Sequence, residues 1–216
     1  MSDQIVIGEN RNRADLVQRG RWLEYFTIIY NSLEGVIAMA AGLFAGSIAL
    51  VGFGCDSLIE VTSGATLLWR LQLDVNEERR ERLETISLRI VGLCFVALAI
   101  YVSYDSVRSL IRRAVPQESL IGIALAAMSL IVMPLLVRAK RKVARGINSR
   151  ALMADSKQTQ LCTYLSAILL GGLLLNALLG WWWADPAAAL VMVPIIANEG
   201  IKALRGDTCC DETIRG

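Results

Sequence analysis

The sequence has no histidine at any of its 216 positions. That absence excludes a Ser-His-Asp or Cys-His catalytic site, a histidine-ligated haem and every zinc motif built on histidine. Charge is scarce too: Asp, Glu, Lys and Arg make up 19% of the chain, below the roughly 25% usual for globular proteins. The formal net charge of +2 is too small to suggest a nucleic-acid binder. The five cysteines, Cys55, Cys94, Cys162, Cys209 and Cys210, form neither a CxxC pair nor a disulfide-scaffold spacing. The first 21 residues are polar and hold no apolar stretch ending in a cleavage site, so no signal peptide is expected.

What the chain does have is apolar sequence. Hydrophobic residues are 55% of it, and they are clustered, with most of the charge confined to short segments. The length alone would suit one or two soluble domains, but this clustering points to a membrane-embedded chain. A helix needs about 20 apolar residues to cross the hydrocarbon layer, and six such stretches can be drawn, roughly at 22–45, 48–70, 85–110, 118–138, 151–175 and 182–203. Gly46-Ser47 allows a tight turn after the first. A charged run from Asp74 to Glu84 separates the second from the third, and Arg112-Arg113-Ala114-Val115-Pro116 ends the third. Arg138 to Arg150 separates the fourth from the fifth. Trp181, Trp182 and Trp183 before the last span read as an interfacial anchor, with Asp185-Pro186 suited to a first helical turn. The alternating ten-residue segments of a lipid-facing barrel are absent. The expected fold is therefore an all-α membrane protein of six transmembrane helices. Residues 1–21 form an N-terminal segment, 22–204 the six-helix domain and 205–216 a short tail.

Of the 22 basic residues, 17 lie in the N-terminal segment, around the loops at 70–84 and 138–150, and in the tail. The positive-inside rule then puts both termini and both basic loops in the cytoplasm. On this reading the chain is an integral protein of a bacterial inner (plasma) membrane.

Ionisable side chains deep in a membrane are costly and mark a partner, a cavity or a transport path. Asp56 and Glu60 lie four apart in the second span, so both carboxylates share one helical face. Two close carboxylates repel unless a cation or proton joins them, and a cation site is the better reading. An internal repeat supplies a partner. SIALVGFGCDSLIEV from Ser47 matches SRALMADSKQTQLCT from Ser149 at an offset of 102, which sets Asp56 opposite Gln158 and Glu60 opposite Cys162. Both halves thus carry oxygen- or sulfur-bearing side chains at matching i, i+4 positions.

Other polar residues have plainer readings beside functional ones. Asn31 and Glu34, mid-span in the first helix, either support the site through hydrogen bonds or make a helix-packing contact. Asp155 is a candidate for the same supporting role, and its plain reading is a partner for a snorkelling Lys157. Cys55 points about 100° away from Asp56 around the helix and reaches the site only if the helix unwinds. Asp105 and Arg108 are expected to pair, Glu199 to reach the interface, and Cys94 to be a buried small apolar residue. Cys209 and Cys210 are candidates for collecting soft metal ions at the cytoplasmic entrance, with a flexible tail as the simpler reading.

These pieces together resemble the cation diffusion facilitator (cation efflux) family of six-helix metal-ion/proton antiporters. The resemblance rests on Gly46-Ser-Ile-Ala-Leu50, Asp56-Ser-Leu-Ile-Glu60 and Arg80-Glu-Arg-Leu-Glu84. It rests further on Ser149-Arg-Ala-Leu152 with Ala154-Asp155, and on Trp182-Trp183-Ala-Asp185. It implies four metal-ligand positions, occupied here by Asp56, Glu60, Gln158 and Cys162. Gln158 and Cys162 depart from the His or Asp and the Asp that the family carries there. Members commonly continue into a cytoplasmic metal-binding domain that joins the dimer. Only 12 residues follow Leu204, so a short form lacking that domain is expected.

The function expected is export of a divalent transition metal, zinc first, from the cytoplasm by proton antiport. Carboxylates and a thiol bind metal when deprotonated, so protons compete for the same places. Carboxylate, thiolate and amide donors together suit Zn²⁺, with Cd²⁺, Fe²⁺ or Mn²⁺ as further cargo, better than Mg²⁺ or Ca²⁺. A homodimer is expected, and neither an enzyme activity nor an organic cofactor. Two other readings compete. One is a transport-inactive metal sensor or partner subunit, suggested by the altered fifth-span positions. The other is an intramembrane aspartyl protease, from a loose likeness of Gly52-Phe-Gly-Cys-Asp56 and Tyr104-Asp105 to GxGD and YD pairs.

Overall fold

A computed structural model describes residues 2–72, 77–113, 117–147 and 149–205. They form α1 (Ser2–Ala45), α2 (Ile48–Gln72), α3 (Glu77–Arg112), α4 (Leu120–Gly146), α5 (Arg150–Leu179) and α6 (Ala184–Arg205). All six contain a stretch long and apolar enough to cross a membrane.

The helix ends follow local chemistry. Gly46 adopts φ +67°, the left-handed conformation a two-residue turn demands and one that glycine accepts without a Cβ clash. Ser47, Ser119 and Ser149 cap α2, α4 and α5, their hydroxyls accepting from the backbone N–H of Leu50, Gly122 and Leu152 at 3.1, 3.0 and 3.3 Å. Gly180, φ +64°, ends α5. Trp181 and Trp183 stack in the following turn with ring centroids 5.1 Å apart, half exposed as an interfacial anchor requires.

Several helices outrun the spans drawn from hydropathy. The run Asp74–Glu84, expected to separate two spans, is helical from Glu77, and Arg138–Arg150 is helical through Gly146. Segment 1–21 is helical from Ser2 and continuous with the first span. Glu, Arg, Lys and Ala are strong helix formers, and a helix does not stop where its apolar stretch stops.

The helices pack mainly as the pairs α1–α2, α3–α6 and α4–α5, with α2 also meeting α3, α5 and α6. At Gly54 a Cβ would stand 2.7 Å from Met39 Cγ and 2.9 Å from Met39 N, so glycine is what lets α1 and α2 approach closely. α2 is the most enclosed helix: 61% of its most apolar window is buried, and no other helix exceeds 39%. Around it lies the apolar core of Leu50, Phe53, Leu98, Val102, Leu165, Leu169, Met192 and Ile196. The outer faces are apolar too, with Phe26, Ile29, Leu33 and Val36 of α1 all exposed. Cys94, expected inside, is exposed on α3. Outward and inward positions of a membrane bundle are equally apolar, so residue type does not separate them.

Candidate metal centre

The site is built on α2, whose start is held from a distant part of the chain. Asp185 of α6 accepts from Ser47 Oγ at 2.5 Å and from the Ile48 N–H at 2.9 Å. The Asp185 reading as a first-turn residue of its own helix is thus only half its role: it also closes the N-terminus of α2.

Two and three turns into α2, Asp56 and Glu60 are 4% and 1% exposed, on the face that meets α5. Cys162 of α5, 1% exposed, stands between them. Its Sγ lies 3.1 Å from Asp56 Oδ2 and 2.7 Å from Glu60 Oε2. Three of the four expected ligand positions therefore converge, and Glu60 and Cys162, matched by the repeat, are in contact. Gln158 does not join them by hydrogen bonding. It is half-buried, and its Nε2 has no partner.

Thr159 stands beside Glu60 instead, donating from Oγ1 to Glu60 Oε1 at 2.7 Å. The same hydroxyl accepts from Lys140 Nζ at 3.3 Å. Lys140 is fully buried. It is ion-paired to Asp155 and, at 3.3 Å, to Glu24 Oε1. Asp155 thus pairs with Lys140 of α4 rather than serving only as a surface partner for Lys157. Lys140, which the sequence places in a basic cytoplasmic loop, is an interior group joining α1, α4 and α5. Glu24, Thr159 and Lys140 carried no sequence signal of their own, because a Lys within Arg138–Lys142 reads as surface charge. A spacing of one turn from Cys162 marks Thr159 only once the site is known.

On the α1 flank, Glu34 Oε2 accepts from Ser57 Oγ at 3.1 Å, which links α1 to the residue after Asp56. Glu34, Ser129 and Asn31 are all buried, making this flank unusually polar for a bundle interior. Cys55 is half-buried against the apolar core, off the site. Among the described residues no ion pair joins Asp105 to Arg108, whereas Glu199 pairs with Lys202 at 3.6 Å. Cys209 and Cys210 lie outside the described residues.

The arrangement is a closed one. Among the described residues no three His, Cys, Asp or Glu side chains form a ready-made metal cage, and the Cys162 sulfur is in contact with both carboxylates. A tetrahedral zinc ion with bonds of about 2.0–2.3 Å sets its ligand atoms roughly 3.3–3.7 Å apart. Seating one here requires loss of the thiol proton and an opening of these contacts by several tenths of an ångström.

The model of the cation efflux transmembrane domain matches residues 25–206. The chain belongs to the cation efflux family. It is accordingly an integral membrane protein, and the family is one of transporters rather than enzymes, which favours transport over proteolysis. Similar relatives include Transmembrane protein 163 of Xenopus laevis, 23% identical over 87% of this chain and 66% of the relative. An uncharacterized transporter of Methanocaldococcus jannaschii is 25% identical over 80% of this chain and 62% of its own. The magnetosome protein MamB of a Magnetospira strain is 26% identical over 84% of this chain and 62% of its own. The chain thus spans less than two thirds of the length of each of these relatives.

Proposed function

We propose that this cation efflux protein exports a divalent transition metal ion, zinc first, from the cytoplasm in exchange for protons. The observation that carries the reading is the meeting of Asp56, Glu60 and Cys162 in the interior of the bundle, where charged groups mark transport paths. Two carboxylates and one sulfur favour zinc over cations that take all-oxygen shells. The proton side rests on Cys162, whose thiol donates within the site and must give up its proton before sulfur binds metal.

The basic bias of the terminal segments and two loops supports cytoplasmic termini, and a bacterial inner membrane is the location we propose. The family resemblance and the small size of one six-helix bundle support a homodimer packed through the membrane spans. The deciding experiment is uptake of Zn²⁺, Cd²⁺, Fe²⁺ and Mn²⁺ into proteoliposomes holding this chain alone, with and without a pH gradient. Zinc flux driven by an opposed proton gradient is expected. Metal binding without flux of any ion would turn the reading to a sensor or partner subunit.

A further inference from the structure

We propose that Thr159 sets the metal selectivity of this centre by holding one oxygen of Glu60 out of the coordination shell; the inference rests on the metal-transport reading above. Both oxygens of Glu60 are engaged, and differently. Oε2 faces Cys162 Sγ at 2.7 Å, where an ion shared with Asp56 would sit, whereas Oε1 points to Thr159 Oγ1, also at 2.7 Å.

A threonine hydroxyl has one proton to give. Here its oxygen accepts from Lys140 Nζ at 3.3 Å, which leaves that proton for a carboxylate. The competing acceptor, the Asp155 carbonyl, is farther, at 3.3 Å. Lys140 is itself held by Asp155 and Glu24 from two other helices. The chain Lys140–Thr159–Glu60 is therefore anchored at its far end, buried throughout, and charge-assisted at both ends.

An ion seated against Cys162 and Asp56 then meets Glu60 through a single oxygen. That suits a four-coordinate ion such as Zn²⁺. Mn²⁺, which favours six oxygen-rich ligands, loses the second carboxylate oxygen it would otherwise take. Thr159 is a positioning residue on this account, acting through Glu60.

The test is titration of Zn²⁺ and Mn²⁺ against the full chain in lipid nanodiscs, comparing the wild type with Thr159→Val and Thr159→Ser. Valine keeps the shape and removes the hydroxyl; serine keeps the hydroxyl. The expected result is a shift of the Zn²⁺/Mn²⁺ affinity ratio towards Mn²⁺ by about tenfold in Thr159→Val, the order of a lost charge-assisted hydrogen bond. Thr159→Ser should keep the wild-type ratio. A general loosening of the bundle would weaken both ions alike and leave the ratio fixed. An unchanged ratio in Thr159→Val, or an equal shift in Thr159→Ser, overturns the inference while leaving the transport reading standing. Wild-type protein that binds neither ion overturns the transport reading itself. Should Thr159→Val fail to fold, Thr159→Ala carries the same expectation.

Discussion

Asp185 and Ser47 lie 138 positions apart in sequence, yet the serine hydroxyl donates to the Asp185 carboxylate at 2.5 Å and fixes where α2 begins. Because the same carboxylate also accepts from the Ile48 N–H, Asp185→Ala leaves a buried donor unsatisfied at the end of the helix that bears Asp56 and Glu60. A loss of roughly 2–3 kcal/mol of stability is expected, with Asp185→Asn losing less because it keeps an acceptor. Thermal unfolding in nanodiscs measures this.

Asp56→Ala and Glu60→Ala should nearly abolish metal transport while the protein remains folded. Each removes a carboxylate that is buried against the thiol of Cys162, and with it a metal ligand. The drop in metal affinity should exceed the roughly 10–100-fold that loss of a supporting group causes. Unfolding curves close to wild type, measured beside flux, separate this from collapse of the fold.

Cys162 should tune preference rather than supply most of the binding. Cys162→Asp exchanges soft sulfur for hard oxygen and should move selectivity from Cd²⁺ and Zn²⁺ towards Mn²⁺. If Cys162 only packs, as buried cysteines often do, Cys162→Ala leaves both affinity and the Cd²⁺/Mn²⁺ ratio unchanged. Competitive titration of the two variants decides between these.

Metal uptake should release protons. The Cys162 thiol donates to Glu60 or Asp56 in the closed site, so a sulfur–metal bond displaces at least that proton. Binding must then weaken as pH falls, by about tenfold per pH unit for each proton released. Calorimetry in buffers of different ionisation enthalpy reads the number directly; no release between pH 6 and 8 contradicts the mechanism.

Lys140→Met should destabilise the protein by about 3–5 kcal/mol, because Glu24 and Asp155 are left buried with no neutralising charge. The combined variant Lys140→Met, Glu24→Gln, Asp155→Asn should recover much of that loss. If the single and combined variants unfold alike, the ion cluster is not what joins α1, α4 and α5.

The six spans could be read from the sequence because the hydrocarbon layer imposes its own length rule, independent of how the helices pack. The pair Asp56 and Glu60 was legible for a similar local reason: a spacing of four puts two side chains on one helical face wherever that helix goes. Cys162 was reachable through the repeat, since matching halves set matching positions against each other. What surrounds these residues was not legible. Lys140 sits among arginines and lysines, and only the positions of α1 and α5, which bring Glu24 and Asp155 to it, turn it from a surface charge into an interior one. Thr159 became a partner of Glu60, and Gln158 did not, because the rotation of α5 against α2 is set by packing along the whole interface. Asp185 closes α2 only because α6 returns beside it. Local spacing is a property of one helix and is written in its sequence; which charges are neutralised, and by what, depends on two or more helices meeting, and tertiary structure alone decides that.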